Sequence, residues 1–264
     1  MGRPFIFGTN FKMNQTPAES VTFYRELAAR VTTRPHTQCY VIPPYTSLPA
    51  VSEIARDDDS QIWIGAQNMH WAPEGAYTGE ISARILKALD VDLVLLGHAE
   101  RRGLFYETDP DLNRKLLTAF DAGFRVLLAV GETADERHYR VSAETVSRQL
   151  KIDLHGIPAA HASHLIVAYE PVWSIGAGGT PASPGDVEPV AMLIRDVLAG
   201  LFGPAGRDVP VLYGGSVNPE NAAAFTVLPD IDGLLVGRAG WTVEGFLATY
   251  EAALAGRDLA ASRG

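Results

Sequence analysis

The sequence predicts an α/β fold, a single (β/α)8 barrel in one domain over residues 1–264. Three observations predict it. The chain of 264 residues has the size of one such barrel, for which about 250 is typical. Short apolar runs alternate eight times with longer segments of helical period, the pattern of a parallel sheet with crossover helices. The runs are also nearly unbroken, as in Leu93-Val94-Leu95-Leu96 and Leu165-Ile166-Val167-Ala168, which suits strands buried on both faces.

In order, the expected strands are Phe5–Thr9, Gln38–Ile42, Gln61–Ala66, Leu93–Leu96, Arg125–Val130, His164–Tyr169, Val209–Tyr213 and Gly233–Val236. Between Ser183 and Gly203, the residues Val187, Val190, Ala191, Ile194, Val197, Leu198 and Leu201 recur at three- and four-residue steps and line one helix face. Ser183 suits its N-cap and Pro184 its first position. A further helix is expected to start at Asn218-Pro219-Glu220. An open doubly wound sheet shares this alternation; a last helix at Thr242–Ala255, completing the set after strand eight, favours the barrel.

Composition narrows the function. With 47% apolar and 20% charged residues the chain is neither disordered nor fibrous. A net charge of −9 argues against a nucleic-acid partner, which needs a basic stripe along its surface. Cys39 is the one cysteine, so no intrachain disulfide forms and a reducing compartment, the cytoplasm, is expected. Met1–Phe7 carries no charged segment followed by an apolar run, Ile6 stands where a myristoylation signal needs Ser or Thr, and no apolar stretch reaches the roughly 18 residues of a membrane span. No membrane contact is expected. The charged run Arg56-Asp57-Asp58-Asp59 reads as a solvated loop.

In such a barrel the chemistry gathers at the carboxyl ends of the strands. After strand one stands Asn10-Phe11-Lys12, where Lys12 is either a solvated surface residue or a point charge for a phosphate and a developing enolate oxygen. Strand four ends in Gly97-His98-Ala99-Glu100, where His98 is either a satisfied core histidine or, at a helix N-terminus, a neutral donor to a carbonyl oxygen. Strand six ends in Tyr169-Glu170-Pro171, and a half-buried Glu170 would suit proton abstraction beside a carbonyl. The glycine-rich stretch Ser174–Pro181 is a linker or a lid that offers backbone N–H groups to an anion. Strands seven and eight end in Gly214-Gly215-Ser216 and Gly237-Arg238-Ala239-Gly240, paired small-residue turns of the kind that hold phosphate.

Together these segments resemble the triosephosphate isomerase family, from Gly8 to about Leu247. The resemblance implies a TIM barrel that moves a carbonyl along a short phosphorylated sugar through an enediolate, without cofactor or metal. It implies Glu170 as base, His98 and Lys12 as electrophiles, and Asn10 as substrate-binding. Gly176, Ser216, Gly237 and Arg238 are implied as the phosphate and substrate contacts, Glu100 as a supporting carboxylate, and Pro171–Pro181 as the lid. It further implies a homodimer through the loop Asn68–Gly79, with Thr78 near the partner's site. Four departures from the family pattern bear on the substrate: Ala99 for a usual Ser, Phe11 for Trp, Gly179-Thr180-Pro181 for Lys-Thr-Ala, and Arg238 for a phosphate-turn glycine. The stretch Gly65–Trp71, with Ile231-Asp232-Gly233 and Gly237-Arg238, looks closest to the erythrulose-phosphate isomerase branch, and small lid residues are expected to make room for a fourth carbon.

Two readings from other classes compete. A non-catalytic phosphate-binding barrel needs the anion turns but neither His98 nor Glu170. A metal-dependent hydrolase or aldolase needs several His and carboxylates at strand ends, whereas His155, His161 and His164 precede strand six, at its wrong end.

Overall fold

The computed structural model describes residues 3–32, 34–58, 60–176 and 178–262. The first two residues of the N-terminal segment, Asp59 of the charged run and Ala177 of the glycine-rich stretch therefore lie outside the described residues. The strands are β1 (Phe5–Asn10), β2 (Thr37–Ile42), β3 (Trp63–Ala66), β4 (Leu93–Leu96), β5 (Arg125–Val130), β6 (Leu165–Tyr169), β7 (Val211–Tyr213) and β8 (Gly233–Val236). Each pairs in parallel with the next, and β8 returns to β1 through Ile6–Gly233 to Thr9–Val236, so the sheet closes. The expected barrel is the observed one.

Closure divides the apolar residues into two layers. Ile6, Tyr40, Ile42, Leu93, Leu95, Leu127, Ala129, Ile166, Ala168, Leu212 and Leu235 point inward and fill the barrel. The alternate strand residues, such as Phe7, Val41, Val94, Val126 and Val167, pack outward against the helices. Every strand is thus buried on both faces, which is why its sequence shows no polar alternation.

Some boundaries move for local reasons. β3 begins at Trp63 because Gln61 has a left-handed backbone, φ 59°. β6 begins at Leu165 because Ala159–His164 forms a 3-10 turn. The helix expected from Asn218 runs instead over Ala222–Thr226, since the Asn218 side chain folds back to accept from the Glu220 and Asn221 N–H groups. The last helix spans Val243–Ala261, capped by Thr242 and longer than expected. The helix Pro184–Phe202 starts as predicted: Ser183 and Asp186 form a reciprocal capping box. Among the described residues, no helix is long and apolar enough to cross a membrane.

Candidate active site

All of the chemistry-bearing strand ends meet at the carboxyl mouth of the barrel. Asn10, Lys12, His98, Glu170, Gly176, Ser216, Gly237 and Arg238 line one cavity of about 340 Å³. That volume is at the small end of ligand sites.

Asn10 is the last residue of β1, and its Oδ1 accepts the Lys12 backbone N–H at 2.9 Å, fixing the left-handed turn at Lys12, φ 53°. Gln67 steadies the same turn by donating to Asn10 Oδ1 at 3.2 Å and to the Lys12 carbonyl at 2.7 Å. Trp241 donates its Nε1–H to the Asn10 carbonyl at 2.9 Å. Lys12 Nζ then reaches Glu100 Oε1 at 2.6 Å, so Glu100 holds the ammonium at the cavity without lining it.

At the end of β4, Gly97 takes φ 74° and turns the chain so that His98 caps the short helix Ala99–Leu104. His98 Nδ1 accepts the Glu100 N–H at 3.2 Å. An accepting Nδ1 assigns the ring proton to Nε2, the nitrogen that stands 3.4 Å from Glu170 Oε1.

Glu170 is more enclosed than the half-burial expected, at 2% exposed. Its Oε2 accepts the Ala99 N–H at 2.8 Å. Two glycines leave room for it. A Cβ on Gly214 would stand 2.9 Å from Glu170 Cγ, and one on Gly131 would stand 2.0 Å from the Glu170 carbonyl oxygen. A fully buried carboxylate that accepts one amide N–H and has an imidazole nitrogen 3.4 Å away is costly to keep unless it is used.

Beside it lies a second buried carboxylate, which the sequence reading did not single out. Glu132 accepts from the Tyr169 hydroxyl at 3.0 Å on both oxygens and from Trp173 Nε1–H at 2.8 Å. Burial, and next the Glu132 charge, raise the Tyr169 hydroxyl well above its ordinary range, which keeps it a donor. The signal for Glu132 was the one used for Glu170: an acid just past the carboxyl end of a buried strand. Ser174, at the head of the glycine-rich stretch, and Tyr213, at the end of strand seven, had no role of their own in the sequence; Ser174 Oγ lies 3.3 Å from the Tyr213 hydroxyl and accepts the Ser216 N–H at 3.4 Å, tying the glycine-rich segment to the turn after β7.

The departures from the family pattern sort by position. Phe11 is buried against Phe23, ring centres 4.9 Å apart, and does not line the cavity. Gly178, Gly179 and Thr180 line a separate pocket with Arg137 and Trp173 instead of making room in the main one. Gly179 is required there because its Cβ would stand 2.6 Å from the Ser174 carbonyl carbon. Asp232 sits just before β8, at the opposite mouth, paired with Arg3 at 2.8 Å and with Arg195. Arg238 alone of these lines the cavity; its side chain is exposed and has no ion-pair or hydrogen-bond partner among the described residues. Thr78 is exposed and does not line the cavity. His161 stacks on Phe120 in the 3-10 turn before β6, at the mouth away from the cavity. Among the described residues no group of three or more His, Cys, Asp or Glu is placed to hold a metal ion.

A family model described as triosephosphate isomerase matches residues 4–253. The chain belongs to the triosephosphate isomerase family. It is 43% identical over 255 residues to a triosephosphate isomerase of Carboxydothermus hydrogenoformans, covering 96% of this chain and 100% of that one. It is 42% identical over 247 residues to a triosephosphate isomerase of Acetivibrio thermocellus, covering 93% and 97%. It is also 43% identical over 242 residues to an L-erythrulose-1-phosphate isomerase of Rhizobium etli, covering 91% and 89%. As a member of this family the chain is an isomerase.

Proposed function

We propose that this isomerase converts L-erythrulose 1-phosphate into D-erythrulose 4-phosphate through an enediolate. The convergence of Glu170, His98 and Lys12 on one cavity beside two small-residue turns is the observation that carries the isomerase chemistry. Glu170 takes the proton from the carbon beside the ketone, the electron pair moves onto the carbonyl oxygen, and His98 Nε2–H with Lys12 stabilises the resulting charge. The proton of the neighbouring hydroxyl passes to the former carbonyl oxygen and the proton held by Glu170 goes to the former carbonyl carbon, so the ketone moves by one position and nothing is oxidised or lost. The backbone N–H groups of Gly176, Ser216 and Gly237 take the phosphate with Arg238, and closure of Pro171–Pro181 excludes water. No organic cofactor or metal enters this chemistry.

The four-carbon substrate is supported by the Rhizobium etli relative, which is as similar as the two triosephosphate isomerases, and by Arg238 in the phosphate turn. Dihydroxyacetone phosphate is the second reading, favoured by those two relatives. It differs only in lacking the hydroxymethyl on the carbon that Glu170 deprotonates. Turnover of the two substrates decides: kcat/KM is expected to be larger for L-erythrulose 1-phosphate, and a much larger value for the triose overturns the four-carbon reading. Solvent deuterium uptake into substrate distinguishes either from a phosphate-binding barrel without catalysis.

The chain is taken to work as one domain, in the cytoplasm, and as a homodimer. Its loop Asn68–Gly79 is ordered by His70, which stacks on Trp71 with ring centres 4.1 Å apart and meets the Tyr77 ring at a tilt of 38° with centres 4.2 Å apart. Met13, Tyr77, Leu104, Phe105 and Tyr106 are large exposed apolar residues on this and neighbouring segments, and a second copy would cover them. Thr78 would then lie at the partner's site.

A further inference from the structure

Arg137 belongs to the short helix Ala134–His138 that follows β5, and it touches neither the cavity nor Glu170. Its guanidinium carbon stands 3.6 Å from the centre of the Trp173 ring. Its Nη2 donates to Asp186 Oδ1 at 2.7 Å. Trp173 lies in the 3-10 turn just after Glu170-Pro171, and Asp186 lies in the first turn of the helix that begins just after Pro181. One guanidinium therefore bridges the two feet of the glycine-rich segment.

The Trp173 indole is held from two directions. Its face carries the Arg137 cation, and its edge donates to the buried Glu132 carboxylate at 2.8 Å. Hydrogen bonds from the Ser183 hydroxyl and backbone N–H keep the Asp186 carboxyl below its ordinary range, so the anion that holds Arg137 is retained. In this arrangement Gly176 lines the cavity with Ser216 and Gly237.

We propose that Arg137 is a positioning residue which, by stacking on Trp173 while anchored to Asp186, favours the placement of the glycine-rich segment that presents Gly176 to the substrate phosphate. The proposal rests on the reading of that segment as the phosphate-closing lid. Holding the indole lowers the ordering cost of binding, since fewer side-chain and backbone states are lost when the anion arrives. Asp186 keeps the guanidinium over the ring while solvent competes for it, because both side chains are partly exposed.

The test uses the full chain with Arg137→Gln and Arg137→Lys, read by calorimetric binding of phosphoglycolate, by kcat and KM, and by thermal midpoints. A cation over an indole supports a loss of about three- to thirtyfold in phosphoglycolate affinity for Arg137→Gln, with KM rising by a similar factor. Arg137→Lys is expected to recover part of the loss, with thermal midpoints of both folded variants close to the wild type. Wild-type affinity in Arg137→Gln, or equal losses in both variants, overturns the proposal. Should Arg137→Gln not fold, Asp186→Asn carries the same test, because it releases the guanidinium but keeps an oxygen for the Ser183 cap; unchanged affinity there overturns the proposal. A wild-type chain that neither binds phosphoglycolate nor isomerises its substrate instead defeats the functional reading on which the proposal stands.

Discussion

Glu170 and Ala99 are joined by a hydrogen bond of 2.8 Å from the Ala99 N–H to Oε2, while Oε1 faces His98 Nε2 at 3.4 Å. The carboxylate is therefore aimed by main-chain geometry, and the Ala99 side chain contributes no hydroxyl to it. Glu170→Gln keeps this shape but removes the base, and Glu170→Asp withdraws the base by one methylene. Both are expected to lower kcat by roughly a hundredfold or more with the fold intact. Near-normal turnover in either, with circular dichroism unchanged, would remove Glu170 from the role of base.

Gly214 supplies a test that leaves the base chemically untouched. A methyl at this position would press on Glu170 Cγ at 2.9 Å and on Leu235 Cβ at 3.5 Å. Glu170 is enclosed and cannot retreat freely, so Gly214→Ala is expected to shift the carboxylate and reduce kcat by about ten- to a hundredfold. A kcat equal to wild type would show that the neighbours absorb the methyl.

Seven of the eight strand ends were legible in the sequence because each closed a nearly unbroken apolar run; β1 ends one residue later than expected, at Asn10. Asn10, Lys12, His98, Glu170, Ser216 and Gly237 are all found at the mouth that this pattern selects. What was not legible arises from contacts through space. Gln67 lies within a stretch that resembles a family branch, yet its work is to brace the Asn10–Lys12 turn. Gly179 looked like room for a substrate and is instead room for the Ser174 backbone. Helix starts near Asn218 failed for a related reason: an Asn side chain that bonds nearby N–H groups holds a turn as readily as it caps a helix.

Behind the His98 turn, Arg102 donates to the Gly97 carbonyl at 2.9 Å and to Asp153 Oδ2 at 2.7 Å. Burial raises the Asp153 carboxyl to about 7, outweighing the attraction of Arg102. A group with a raised folded value contributes its stability below the unfolded value, near 4, and loses it as pH rises through about 7. Asp153→Asn keeps a neutral acceptor for Arg102. It should therefore gain stability relative to wild type by about 1 kcal/mol per pH unit between pH 4 and 7, then level off. Urea midpoints across that range check this, and a variant that loses stability relative to wild type as pH rises would reverse the sign.

The proposed dimer makes Tyr77 a buried contact, whereas in the single chain the residue is 46% exposed. Tyr77→Asp would set a carboxylate into that contact, and an unpaired buried charge is expensive. The variant is expected to sediment as a monomer at micromolar concentration where the wild type is a dimer, with activity lowered because Thr78 no longer reaches the partner's site. A wild-type chain that scatters light only as a monomer would end the dimer reading.

Arg238 is the one cation at the cavity without a carboxylate partner among the described residues, since Lys12 is held by Glu100. Bonds to a charged phosphate are among the stronger ones, so Arg238→Gly is expected to raise KM by about tenfold or more and to leave kcat within a few fold. The loss should appear equally in the inhibition constant of inorganic phosphate and should shrink at high salt, where screening weakens the wild-type contact. The two substrates separate the roles of this residue: an equal rise in KM for L-erythrulose 1-phosphate and dihydroxyacetone phosphate assigns Arg238 to the phosphate they share, and a rise confined to the former assigns it to the added hydroxymethyl. An unchanged KM for both takes Arg238 out of the binding site.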